Sequence, residues 1–160
     1  MAGRLAVKTT MKAVIQRVTR ASVEIDNNIV ANIKSGLLIL LGVEPLDTQD
    51  DIIWLSNKIA NLRVFDDSNG IMNISLKEIK GEAIVVSQFT LHASTKKGNR
   101  PSYIKAAKPT IAIPMYESFV KQMEQNLEKE VQTGQFGASM QLDFVNDGPV
   151  TIIIDSKNRQ

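Results

Sequence analysis

The sequence predicts an α+β fold: a single domain built on a largely antiparallel or mixed β-sheet, barrel-like, with two main helices. Three observations lead there. Segments rich in Val and Ile outnumber segments with helical spacing. The two helical segments do not alternate regularly with strands, as a doubly wound parallel sheet would require. The chain has 160 residues, 43% of them apolar and 22% charged, which is the size and balance of one globular domain with a core of its own.

The first ten residues, "MAGRLAVKTT", carry no strand pattern and no long apolar run. They are expected to be an N-terminal extension outside the fold, with the domain spanning 11–160 and no signal peptide. "MKAVIQRVTRASVEIDNNIVANI" is β-branched throughout and breaks at Asp26-Asn27-Asn28, so it predicts two strands joined by a tight turn. "SGLLILLGV" is apolar without alternation and predicts a strand buried on both faces. It is far too short to span a bilayer.

Thr48 with Asp51 three residues on resembles a capping box, and Ile52, Leu55, Ile59 and Leu62 follow at helical spacing, predicting a helix over 49–62. "LRVFDDSNGIMNI" predicts a strand, a turn at Asn69-Gly70 and a short return. "EAIVVSQFTL" predicts a strand. Pro114 can open a helix whose buried face is Tyr116, Phe119, Val120, Met123 and Leu127. "ASMQLDFV" and "VTIIID" predict two closing strands, with Gly148-Pro149 between them as turn chemistry.

The residue inventory excludes much chemistry. There is no cysteine and one histidine, His92, so neither a disulfide nor a zinc site of the usual ligands can form, and an intracellular setting fits best. No carboxylate cluster suggests magnesium, and neither a Walker loop nor a G-x-G-x-x-G motif is present. In a regular strand Ser87 and His92 point to opposite faces, so no Ser-His pair is expected, and His92 reads as a strand-end surface residue. An enzyme made from this chain would work by positioning and backbone dipoles.

"TKKGNRPSYIKAAK", residues 95–108, holds five basic residues, Lys96, Lys97, Arg100, Lys105 and Lys108, and no acidic one. It is either a solvated loop or a phosphate-contacting surface. "SQFT" is either the polar end of a strand or part of a site.

The blocks "MKAVIQRV", "LRVF", "MNISL", "VVSQFTL", "KGNRPS", "TGQFGASM" and "VNDGPVT" occur in this order across 11–154. Together they resemble the D-aminoacyl-tRNA deacylases, also called D-tyrosyl-tRNA deacylases. The defining motifs are S-Q-x-x, here Ser87-Gln88-Phe89-Thr90, and N-x-G-P-x-T, here Asn146 to Thr151.

The resemblance implies a homodimeric cytoplasmic esterase that cleaves a D-amino acid, and also glycine, from the terminal adenosine of tRNA. It needs no cofactor and no metal, and has neither DNA nor membrane as a partner. It implies that Gly148-Pro149, joined by a cis peptide, enters the partner subunit's pocket. Ser87, Gln88, Phe89 and Thr90 form the catalytic block, with backbone N–H groups near Gln88 and Phe89 as oxyanion donors and the tRNA 2′-hydroxyl assisting. Phe136, Gly137 and Met140 hold the adenine, Asn146 belongs to the Gly-Pro motif, and Arg17 buttresses it. The alternatives are a sister deacylase, with the same peptide trans, that removes an L-amino acid from mischarged tRNA, and a non-catalytic tRNA-binding module.

Overall fold

The computed structural model describes residues 10–159. All of the expected extension except Thr10 therefore lies outside the described residues. The order is β1 (Lys12–Ile25), β2 (Asn28–Ile33), β3 (Gly36–Gly42), α1 (Gln49–Asn61), β4 (Phe65–Asp66), β5 (Met72–Ile74), α2 (Leu76–Ile79), β6 (Glu82–Ser87), a 3₁₀ turn (Phe89–His92), α3 (Pro109–Leu127), β7 (Gln132–Thr133) and β8 (Gln141–Asp155). The α+β expectation holds, with two main helices and the short α2 besides.

The main sheet runs β2-β1-β3-β6-β7, and β8 lies along β1. It is mixed: β1 pairs antiparallel with β2, β3 and β8, whereas β3–β6 and β6–β7 are parallel. β1 reaches three partners because its first half pairs β3 and its second half β2, with β8 along both. The sheet nearly closes as a barrel. At the seam the Gln132 side chain replaces a backbone ladder, donating to the Asn32 carbonyl at 2.8 Å and accepting the Asn32 N–H at 2.6 Å.

The apolar run of β3 is explained by two cores. Leu37, Ile39 and Leu41 pack with α1 and α3, beside Ile52, Leu55, Phe119 and Met123. Leu38 packs on the other face with Val18, Val23, Ile84 and Val86. Both faces of the strand are dry, so alternation has nothing to report.

α1 starts where its capping box predicts, with the Asp51 carboxylate accepting the Thr48 N–H at 2.8 Å. The β4–β5 hairpin turns at Gly70, and the Asp67 carboxylate accepts the N–H groups of Asn69 and Ile71. The sequence reading missed α2, although Ser75 and Glu78 form a capping box there.

Three expectations are corrected. The second long helix begins at Pro109, and Pro114 lies inside it. Proline at the first helical position loses no hydrogen bond, so Lys108-Pro109 is the better start. The strand over 82–91 ends at Ser87, where the chain turns into the 3₁₀ segment. The two closing strands are one strand, β8, with a bulge: Gln16 faces Thr151 and Val18 faces Asn146, so residues 147–150 stand opposite Arg17 alone.

Candidate active site

β6 delivers Ser87 to the sheet end, and the Gln88 N–H then donates to the Leu41 carbonyl at 2.7 Å. That is the last bond of the β3–β6 ladder, and beyond it the Leu91 N–H returns to the Gln88 carbonyl at 3.2 Å and opens the 3₁₀ turn. The ladder bond also engages the Gln88 N–H, so this group is not the free oxyanion donor that the motif suggested. The Gln88 amide donates to the Thr90 hydroxyl, which ties the two side chains together.

Beside this corner is a cavity of about 260 Å³ lined by Val86, Ser87, Gln88, Phe89, Phe136, Gly137, Ala138, Met140 and Leu142. It brings together residues from two segments about 50 positions apart. A smaller annex reaches Leu41, Val43, Ala107, Ala112 and Tyr116. The Tyr116 ring lies 6.2 Å from that of Phe136, and its hydroxyl donates to the Val85 carbonyl at 2.7 Å. Burial raises the Tyr116 pKa to about 12, so this hydroxyl stays protonated and serves as a fixed strut behind the cavity. Two larger hollows, of about 510 and 620 Å³, lie at the β2–β7 seam and between α1 and the end of β8. Neither is lined by any of the candidate site residues named from the sequence.

His92 departs from expectation. It is 3% exposed rather than on the surface. Its Nδ1 lies 3.0 Å from Glu44 Oε1. A Cβ on Gly42 would stand 3.0 Å from the imidazole, so the bare glycine leaves the ring its place. Strand parity does not apply past Ser87, because the chain has left the sheet. His92 is nonetheless absent from the cavity lining, so Ser87 has no imidazole base there.

The second motif occupies the β8 bulge. The Gly148–Pro149 peptide is cis, and Gly148 has φ 122°. That φ suits glycine, and a Cβ there would meet Val150 Cγ2 at 2.9 Å and Arg17 Nη2 at 3.1 Å. Asn146 accepts the Val150 N–H at 3.2 Å and donates to Gln16 Oε1 at 2.7 Å, so its amide pins the loop to β1.

Arg17 is 7% exposed. Its Nε donates to the Asp147 carbonyl at 3.1 Å, and its Nη1 donates to the Val64 carbonyl at 2.8 Å and to Asp66 Oδ1 at 3.3 Å. The guanidinium therefore ties the bulge to the β4–β5 hairpin. The sequence reading chose Arg17 but missed Val64 and Asp66, and no local signal marks them. Gly148 and Pro149 do not line the cavity of their own chain.

Lys96, Lys97, Arg100, Lys105 and Lys108 are all exposed, on the loop between the 3₁₀ turn and α3. Among the described residues, no group of three or more His, Asp or Glu side chains could hold a metal ion. Nor is any helix long and apolar enough to cross a membrane.

A family model described as D-Tyr-tRNA(Tyr) deacylase matches residues 14–155. The chain belongs to that family. A Flavobacterium psychrophilum protein named D-aminoacyl-tRNA deacylase is 67% identical over 150 residues, covering 94% of this chain and all of the relative. A Bacteroides fragilis protein of the same name is 59% identical over the same coverage. Among solved structures, one described as c-Myc DNA Unwinding Element Binding Protein is 41% identical with a TM-score of 0.84, covering 89% of this chain and 97% of its own. A eukaryotic chain described as a probable D-amino acid tRNA deacylase superposes with a TM-score of 0.80 at 15% identity, covering 91% of this chain and 99% of its own. That last likeness speaks for the fold alone.

Proposed function

We propose that this protein hydrolyses the ester between a D-amino acid and the terminal adenosine of tRNA. The observation that carries this is the 67% identity, over the full length of the relative, to a protein named D-aminoacyl-tRNA deacylase. The terminal adenine enters the cavity against Phe136, Gly137 and Met140, which places the ester beside Ser87 and Phe89. With the Gln88 N–H engaged by Leu41, the oxyanion donor is the Phe89 N–H, at the head of the 3₁₀ turn. Thr90 accepts from Gln88 and has no neighbouring base, so it positions rather than attacks. Water attacks the ester carbonyl, the bond to the ribose oxygen breaks with a proton passing to that oxygen, and the neighbouring 2′-hydroxyl of the tRNA assists. No metal or cofactor takes part.

The pocket is completed by a second copy of the chain. Gly148 and Pro149 are exposed and lie outside the cavity lining of their own chain, and among the described residues β8 pairs with β1 alone. In the homodimer, the bulge of one subunit presents backbone carbonyls to the substrate's α-amino group in the other. An L side chain then meets the wall, whereas a D side chain leads to solvent. Selectivity by exclusion accepts many D side chains, and glycine as well. The tRNA substrate places the enzyme in the cytoplasm.

The test is ester loss from D- and L-tyrosyl-tRNA. Hydrolysis of the D form should be far faster, and a chelator should not slow it once magnesium for tRNA folding is supplied. Comparable rates for both hands would overturn the proposal, and faster loss of the L form would favour the sister deacylase. Affinity without turnover would leave a binding module.

A further inference from the structure

The loop after the catalytic block carries an aromatic surface that the chemistry above does not use. Tyr103 is 41% exposed, and its ring stands edge-on to Phe89 with centroids 5.0 Å apart and planes at 80°. Phe89 is itself 54% exposed and lines the cavity. An edge-to-face pair occupies only one of the four ring faces, so stacking surface remains. Ile104 beside it is 85% exposed.

The loop is held at both ends. Ser94 and Ser102 exchange backbone hydrogen bonds of 2.7 and 2.9 Å, the Ala106 N–H closes a turn on the Tyr103 carbonyl, and the Ala107 N–H reaches the Val43 carbonyl at 2.9 Å. Arg100, Lys105 and Lys108 lie within five positions of Tyr103 and are exposed, and the whole segment 95–108 has no acidic residue. A half-exposed aromatic ring on an anchored, cationic loop suits unpaired nucleotides, whose bases stack and whose phosphates pair with the cations.

We propose that Tyr103, braced by Phe89, is a stacking platform for the unpaired nucleotides just before the terminal adenosine of the tRNA. The site takes a single-stranded RNA end, continuous with the cavity and independent of base identity, because every base has a stacking face. Tyr103 is then a binding residue that holds the 3′ end in line with the cavity. The inference rests on the deacylase reading for its choice of ligand.

The experiment measures affinity for uncharged tRNA with an intact 3′ end, and for the same tRNA trimmed of its unpaired 3′ nucleotides. The wild-type protein should bind the intact form more tightly. Tyr103→Ala should weaken binding of the intact form by about tenfold and leave the trimmed form unchanged, whereas Tyr103→Phe should bind like wild type. The KM for D-tyrosyl-tRNA should rise in parallel in Tyr103→Ala, with kcat held. Equal affinity of the wild type for both forms, or no detectable binding of either, overturns the proposal. So does an equal loss on both forms in Tyr103→Ala, or a Tyr103→Phe that does not rescue. Failure to hydrolyse D-tyrosyl-tRNA would count against the deacylase reading alone, because the binding comparison uses no ester.

Discussion

Asp47 shows how one buried carboxylate couples to its neighbours. It is 8% exposed, and its Oδ2 accepts the Glu44 N–H at 2.7 Å, while Oδ1 has no hydrogen-bond partner among the described residues. Lys157 Nζ lies 3.9 Å from Asp47, at the limit of an ion pair, but 3.5 Å from Asp51. The ammonium serves Asp51 first. Loss of water, only partly offset by the Glu44 N–H and by Lys157, pushes the Asp47 pKa up to about 7. Burial also acts against ionised Asp51, but the Thr48 N–H, the Ser156 hydroxyl and Lys157 outweigh it and lower its pKa.

The two residues therefore act in different pH windows. Unfolded Asp47 loses its proton near pH 3.8 and the folded residue near 7, so stability falls as pH rises through that interval. Asp51 contributes stability above its unfolded pKa that is lost in acid. Asp47→Asn keeps an oxygen for the Glu44 N–H and cannot ionise. Its melting temperature relative to wild type should rise between pH 5 and pH 8 by several degrees, at about 2–4 °C for each kcal/mol in a domain of this size. Any cost that does not depend on pH cancels in that difference. A difference that stays flat from pH 5 to pH 8 would show that Asp47 is ionised throughout.

At the scale of elements, the β8 bulge depends on another element. Four residues of β8 stand opposite Arg17, and the guanidinium bonds both the bulge, at the Asp147 carbonyl, and the hairpin, at the Val64 carbonyl and Asp66. A lysine concentrates its three donors on one nitrogen and cannot reproduce the fork whose Nε and Nη1 reach the two sides. Arg17→Lys should cost about 1–3 kcal/mol in urea unfolding, the scale of leaving a buried polar group unsatisfied. Because the bulge presents the carbonyls that fix the α-amino group in the proposed pocket, the ratio of D to L hydrolysis should fall as well. A stability loss with an unchanged ratio would confine Arg17 to a structural role. The helix that begins at Pro109 teaches a related lesson. Two prolines compete for the helix start, and α3 carries the second one inside it while burying Ala112, Tyr116, Phe119, Met123 and Leu127. Burial of that face outweighs the hydrogen bond that Pro114 cannot make.

At the scale of the whole molecule, the formal net charge is only +2, so attraction to tRNA depends on where the cations sit. Lys96, Lys97, Arg100, Lys105 and Lys108 are exposed on one loop beside the candidate cavity. Replacing several of them by Gln should weaken binding to every tRNA alike. The slope of log affinity against log salt should fall by about 0.7–0.9 for each phosphate that the protein no longer neutralises. This differs from the Tyr103 effect, which needs an intact 3′ end. An unchanged slope would mark the loop as merely solvated. Light scattering on the same samples would test for the homodimer that the proposed pocket requires.

Local chemistry along the chain suffices for the α+β class, the double burial of β3, the cap of α1, the hairpin at Asn69-Gly70 and, through ordered motif blocks, the family. Periodicity, capping and turn residues act within a few positions, and motifs are read in chain order. The motifs also named Ser87, Gln88, Phe89, Phe136, Gly137 and Met140, which the fold gathers at one cavity. Contacts between distant segments were not legible in this way. Arg17 meets Val64 and Asp66 across 47 and 49 positions, and Gln132 closes the barrel on Asn32 across 100. His92 reads from the sequence as a strand-end surface residue, but after Gln88 the chain leaves the β3–β6 ladder for a 3₁₀ turn, and the histidine packs in beside Glu44. That choice belongs to tertiary structure because Glu44 and Gly42, which receive the ring, lie about 50 positions away, where no local pattern can record them.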